Sequence, residues 1–158
     1  MLESISRMEL PIPQPPAQVT FNFADCENFI RLNLFIVPIT VVGSSGHMMF
    51  DFLVDTGAQV SLVTPYVARS VGITPSSGQI TRAHGLSNKD IAIASARFSI
   101  AIDNDSFLDL GESTVTISEL GGMFSTYNIL GILGADAMKM CTIKISYPSK
   151  FLRLAIDR

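Results

Sequence analysis

The chain has 158 residues, of which 47% are hydrophobic and 16% are charged, and its formal net charge at pH 7 is -3. This length suits one domain with a hydrophobic core, and the composition argues against an intrinsically disordered protein. The small negative charge gives no reason to expect a nucleic acid or an anionic membrane as partner. The apolar stretch 29–42 is too short and too interrupted for a membrane-spanning helix, and no signal-peptide pattern opens the sequence.

The first residues of the chain differ in composition from the rest. Residues 1–18 contain four of the eight prolines, which predicts an extended leader ahead of a domain over residues 19–158. Pro38 lies inside apolar strand material, so we expect it at a sheet edge or a bulge. Strands or hairpins are predicted, in chain order, over residues 19–23, 29–42, 48–54, 79–102, 113–118, 142–146 and 151–156.

Two short helices are predicted between these strands. In the first, over residues 64–72, Thr64 serves as the N-cap, Pro65 takes the first position and Gly72 ends the helix. The second covers residues 135–140. Many short strands with two short helices and no regular alternation of the two predict an all-β, barrel-like domain.

The most informative stretch is 52–63, in which two apolar runs flank Asp55, Thr56 and Gly57. A carboxylate between two strand-like runs is costly to bury unless it is hydrogen-bonded or takes part in chemistry. Gly57 permits backbone angles and close approaches that a side chain forbids. A second motif, at residues 127–136, reads Tyr-Asn-Ile-Leu-Gly-Ile-Leu-Gly-Ala-Asp.

Together the two motifs resemble the active-site loop and the later Gly-x-Asp/Asn segment of retropepsins, the retroviral-type aspartic proteases. The resemblance covers most of the chain and implies a retropepsin-like (acid protease) closed β-barrel with two short helices and a flap hairpin. It identifies Asp55, Thr56 and Gly57 as the catalytic residues. Thr56 would hydrogen-bond across a dimer axis, and the segment around Gly134 would pack under the catalytic loop.

The resemblance also implies which residues contact a peptide substrate. These are Ala58 and Gln59 after the catalytic loop, and His84, Gly85 and Leu86 at the tip of the flap hairpin.

The sequence departs from the retroviral pattern in three places. The flap tip has one glycine between two larger residues where retroviral flaps are glycine-rich, which bears on flap mobility and substrate choice. Ala135 stands where retroviral enzymes commonly have an arginine, so that arginine's salt bridge is absent or replaced. The closing hairpin over residues 142–156 is longer than in a minimal viral enzyme and resembles those of ubiquitin-shuttle or retrotransposon relatives.

Aspartic protease chemistry needs two carboxylates that share one proton and activate a water molecule. This chain supplies one Asp-Thr-Gly loop, and we therefore expect a homodimer in which each subunit contributes Asp55. The expected activity is that of an aspartic endopeptidase with no metal or other cofactor. The alternative is a retropepsin-fold module that dimerises or binds peptides with little or no cleavage.

Other chemistries have weaker support. No serine lies in a nucleophile-elbow pattern with His47 or His84. The acidic segment from Asp103 to Glu112 lacks the glycine and the ligand spacing of a calcium loop.

The two cysteines, Cys26 and Cys141, lie far apart without metal-ligand spacing, so we expect reduced core residues and a cytoplasmic protein.

Overall fold

The computed structural model describes residues 17–77, 80–84, 90–102 and 107–156. Within these ranges the chain forms ten strands and four short helices. The strands are β1 (Ala17–Asn22), β2 (Ile36–Gly43), β3 (Gly46–Val54), β4 (Leu62–Val63), β5 (Thr81–Ala83), β6 (Ile91–Ala101), β7 (Phe107–Thr116), β8 (Gly131–Leu133), β9 (Thr142–Ser146) and β10 (Phe151–Ile156). The helices are α1 (Glu27–Leu32), α2 (Pro65–Val71), α3 (Met123–Thr126) and α4 (Ala135–Met138).

Six strands close into a barrel in the order β2-β3-β8-β4-β7-β6, because β6 also pairs with β2. β5 pairs with the other end of β6. Two pairs are parallel, β3 with β8 and β4 with β7, and both bring together segments far apart in the chain. This arrangement confirms the predicted all-β closed barrel.

Side-chain alternation explains how the barrel strands enclose the core. Val37, Ile39 and Val41 of β2 are fully buried, while the residues between them are partly or fully exposed. Such alternation with a period of two fills one face of a strand and leaves the other toward solvent. The barrel interior is therefore the main hydrophobic core.

Pro38 occupies a position where its missing N–H costs no ladder bond. It lies opposite Asp51, whose carbonyl oxygen accepts a hydrogen bond from the Leu130 N–H (2.9 Å) instead of bonding to β2. Pro38 and Asp51 thus form a non-hydrogen-bonded pair. β6 reaches only Thr40–Val42 of β2, which confirms an edge-like position for Pro38.

The ends of the described chain form a separate three-stranded sheet with the order β1-β10-β9. The closing hairpin β9–β10 has the predicted bounds. Leu152 and Leu154 of β10 are buried in the main core, so this sheet packs against the barrel.

Both predicted helices are present. The Thr64 hydroxyl accepts a hydrogen bond from the Val67 N–H, Pro65 opens α2, and Gly72 ends it in the left-handed conformation with φ 74°. The second predicted helix corresponds to α4.

Two further helices were not predicted, and one of them corrects the assignment of residues 29–42 as strand material. Residues 27–32 form α1 instead, and the strand begins at Ile36. The aromatic ring of Phe29 packs against those of Phe23 and Phe35 at centroid distances of 5.5 and 4.9 Å, so tertiary packing favours the helix. The second addition, α3, is a single helical turn over Met123–Thr126.

The first strand begins at Ala17 rather than residue 19, and nearly all of the expected leader lies outside the described residues. The division of the chain at residue 18 stays a prediction. Both cysteines are free thiols. In the described part of the chain, no helix has the length and apolar character needed to cross a membrane.

Candidate active site

The loop that carries Asp55 begins where β3 leaves the barrel. The Asp55 N–H donates to the carbonyl oxygen of Leu133 (3.1 Å), and the Asp55 carbonyl accepts from the Ala58 N–H (3.1 Å). The Asp55 carboxylate accepts a hydrogen bond from the Gly57 N–H at 2.9 Å through Oδ1. The loop therefore closes as a tight turn whose own backbone orients the carboxylate.

Asp55 lines a cleft of about 600 Å³ and is half-buried. Of the residues predicted from the sequence, the cleft brings Asp55 together with Gly57, Ala58, Gln59 and His84. Thr56 is exposed and does not line the cleft.

Two predicted contact residues, Gly85 and Leu86, lie outside the described residues, so the structure gives no position for the flap tip. The base of that hairpin is present as the β5–β6 pair, in which Ala83 lies opposite Ile91. The roles of all these residues in catalysis and substrate binding stay predictions.

Several cleft residues were not identified from the sequence. Val60 and Leu62 follow the Asp55 loop directly, whereas the others lie on β5, β6, β7 and β8, which only the closed barrel brings beside Asp55. The additional lining residues are Val60, Leu62, Arg82, Ala83, Ile93, Thr114 and Ile132. Because five of these seven side chains are aliphatic, the described part of the cleft offers largely apolar walls around one carboxylate.

Two close approaches fix the segment beneath the Asp55 loop. The Ala135 N–H donates to the carbonyl oxygen of Ala58 at 2.8 Å. A Cβ atom on Gly134 would lie 2.6 Å from the carbonyl carbon and oxygen of Val60, so only glycine fits here without a shift. The predicted packing of Gly134 under the loop is therefore present.

A partly buried polar network joins the same two segments. Asp136 Oδ1 accepts hydrogen bonds from the Ser61 N–H (2.8 Å) and the Ser61 hydroxyl (2.6 Å). Ser61 Oγ in turn accepts from the Gly134 N–H at 2.9 Å. The Ser113 hydroxyl lies within reach of both Asp136 Oδ2 (3.1 Å) and the Ser61 carbonyl oxygen (2.7 Å).

One end of the β5–β6 pair carries a cluster of ionisable side chains. The imidazole of His84 lies 2.6 Å from Asp90 Oδ1 through Nδ1, and the Arg82 guanidinium lies 3.8 Å from Asp90 Oδ2. Because these side chains are 41–77% exposed, their attraction contributes little stability. The cluster links β5 to the residue that precedes β6.

Within the described residues, the structure gives little support to a cysteine nucleophile or to a metal centre. Burial raises the pKa of the Cys141 thiol, which disfavours the thiolate that a nucleophilic cysteine requires. Its Sγ lies 3.4 Å from the Ala137 carbonyl oxygen, and its side chain is partly buried against the main core. Within the described ranges, no three histidine, cysteine or acidic side chains are grouped as metal ligands.

Comparisons with known proteins agree with this geometry. Residues 37–137 match the sequence profile of the aspartyl protease family. No curated protein sequence matches the chain.

Solved structures resemble the chain at low sequence identity. A retropepsin-like aspartic protease from Rickettsia conorii superposes with a TM-score of 0.58 at 17% identity, over 89% of this chain and 92% of that one. The retroviral protease-like domain of Ddi1 from Leishmania major gives 0.49 at 18% identity, over 79% and 89% of the two chains. EIAV protease in complex with an inhibitor gives 0.49 at 16% identity, over 67% and 86%. The family match covers more than half of the sequence, and the chain therefore belongs to the aspartyl protease family, with a retropepsin-like fold.

Proposed function

We propose that this protein is a homodimeric aspartic endopeptidase in which each subunit contributes Asp55. The observation that carries the proposal is the composition of the cleft. Among the described residues that line it, Asp55 is the only carboxylate, and it lies within the residues that match the aspartyl protease family. Two carboxylates are needed, so a second copy related by a two-fold axis would supply the other.

In the proposed reaction, the pair of Asp55 carboxyl groups holds one proton. The ionised carboxylate takes a proton from a water molecule as it attacks the peptide carbonyl carbon, while the protonated partner donates to the carbonyl oxygen. Collapse of the tetrahedral intermediate then breaks the C–N bond, and a carboxyl group returns a proton to the leaving amine. Asp55 thus alternates between general base and general acid.

Neighbouring residues would support this reaction in distinct ways. Thr56 is exposed at the loop and is available to bond to its counterpart across the axis. Gly57 lines the cleft without a side chain and leaves room for the substrate backbone. Ala58, Gln59 and the flap residues His84, Gly85 and Leu86 would contact the peptide, with closure of the hairpin excluding water. The two free thiols favour a reducing compartment such as the cytoplasm.

The decisive experiment is Asp55→Asn assayed on a mixed peptide library. We expect cleavage to be lost while the dimer persists. Asp51→Asn is the matched control, because Asp51 is an exposed carboxylate on β3, four residues away, that lines a different groove. Equal activity of Asp55→Asn and wild type would refute the proposal.

A mixing experiment tests whether both carboxylates act together. Heterodimers of wild-type and Asp55→Asn subunits should be inactive, so activity should fall faster than the wild-type fraction as the variant is added. A wild-type protein that dimerises and binds peptides but cleaves none of them would instead identify the binding module.

A further inference from the structure

The catalytic loop is joined to one short segment of its own chain at three successive points. Asp55 bonds to Leu133 and Ala58 to Ala135 through backbone groups, as described above. At the third point Ser61 bonds to Asp136 through both its N–H and its hydroxyl. The first two connections use only backbone groups, whereas the third requires the side chains of Ser61 and Asp136.

Ser61 links three parts of the fold. It is 0% exposed, and its hydroxyl donates to Asp136 while accepting from the Gly134 N–H. Its carbonyl oxygen accepts from the Thr114 N–H (3.2 Å) and hydroxyl (3.0 Å) on β7. Thr114 in turn lines the cleft beside Asp55. A shift of Ser61 would therefore move both the end of the catalytic loop and one wall of the cleft.

Asp136 is the group on which this arrangement depends. Its Oδ1 accepts three hydrogen bonds, from Ser61 N, Ser61 Oγ and Ala137 N, at 2.6–2.8 Å. Removing the carboxylate would leave the buried donors of Ser61 without this acceptor, and the loop would have to move to satisfy them.

We propose that Asp136 is a positioning residue for the active site, acting through Ser61 to hold the loop that presents Asp55. The inference rests on the proposed function, since it concerns the same cleft. Asp136 acts by geometry: an asparagine keeps the Oδ1 acceptor, and its amide nitrogen can donate to Ser113 Oγ. The Ser113 hydroxyl would then donate to the Ser61 carbonyl oxygen, already 2.7 Å away.

The test compares Asp136→Ala with Asp136→Asn in the full chain. Both kcat and KM are measured, and kcat is expressed per folded dimer. Because small displacements of catalytic groups can cost up to about a hundredfold in rate, we expect Asp136→Ala to lower kcat about tenfold or more. Asp136→Asn should restore most of that loss. Asp25→Ala, which removes an exposed carboxylate, is the control for mutation to alanine. Wild-type kcat per folded dimer in Asp136→Ala would overturn the proposal.

If Asp136→Ala does not fold, Ser61→Ala replaces it, since it removes only the hydroxyl contacts. We then expect a lower kcat in Ser61→Ala than in Asp136→Asn, and the reverse order contradicts the proposal.

A second readout separates this inference from the proposed function. If the wild-type protein cleaves no peptide, amide hydrogen exchange over residues 55–61 still reports loop order. Exchange about tenfold faster in the alanine variant than in wild type and in Asp136→Asn supports the positioning role. Equal exchange in all three refutes it.

Discussion

The approach of Gly134 to the Asp55 loop gives a quantitative prediction for Gly134→Ala. The new Cβ would lie 2.6 Å from the carbonyl carbon and oxygen of Val60 and 2.9 Å from the Ser61 nitrogen. Carbon atoms in good contact are about 3.5–4.0 Å apart, so the overlap is roughly 1 Å. The backbone at Gly134 is extended, with φ -103° and ψ -171°, a conformation that alanine adopts freely. The effect is therefore steric.

The overlapping atoms belong to backbone, and Asp136 holds Ser61 in place, so the clash cannot be relieved by a side-chain rotation. Overpacking of this kind costs about 1–3 kcal/mol. For a domain of about 150 residues, 1 kcal/mol corresponds to roughly 2–4 °C, so we expect the melting temperature to fall by about 2–12 °C.

Thermal unfolding followed by circular dichroism measures this difference, at one fixed protein concentration because the proposed dimerisation would contribute to stability. The matched control is Gly121→Ala. Gly121 is exposed, and no described atom lies within 4 Å of its ideal Cβ. Equal melting temperatures of Gly134→Ala and Gly121→Ala would show that the loop and the Gly134 segment are not in rigid contact.

Three further outcomes are expected. Thr64→Ala should destabilise the protein by about 1 kcal/mol through loss of the α2 cap, while Thr64→Ser keeps the hydroxyl; equal urea midpoints for all three proteins would contradict this. In a Cys26→Ser background, burial and the raised pKa of Cys141 should make its alkylation at pH 8 slower in folded than in urea-unfolded protein, and equal rates would refute that assignment. Because the proposed pair works with one shared proton, peptide cleavage should be fastest at mildly acidic pH, and a flat pH–rate profile would count against the shared proton.

The parts of the fold that could be predicted from the sequence are those with local signals. The closing hairpin has turn residues between two apolar runs, and α2 has a capping threonine, a first-turn proline and a terminal glycine. Each signal lies within a few residues of the structure that it specifies. These local signals predict that the closing hairpin and α2 exist and where each begins and ends.

The missed features depend on contacts between distant residues. Helix α1 has six residues, too few to be stable alone, and packing of Phe29 against Phe23 and Phe35 supports it. Closure of the barrel was predicted from the family resemblance, but the pairing of Thr40 with Ala101 that closes it has no local signal in the sequence. The lining of the cleft also depends on contacts between distant residues. The Asp-Thr-Gly motif marks Asp55, whereas Thr114 reaches it only through the parallel β4–β7 pair.

The connections of the catalytic loop also bear on how a dimer would form. Leu133, Gly134, Ala135 and Asp136 all belong to the same chain as the loop, so a single chain sets the loop's shape through its own contacts. Thr56 and Gly57 remain exposed at the turn, as a surface that a second copy could meet. A contact surface that is already ordered loses less conformational entropy on association than one that orders during binding. Weakening the Asp136 network should therefore lower dimer affinity as well as the rate of cleavage, although Asp136 itself lies behind the loop and not at its exposed turn.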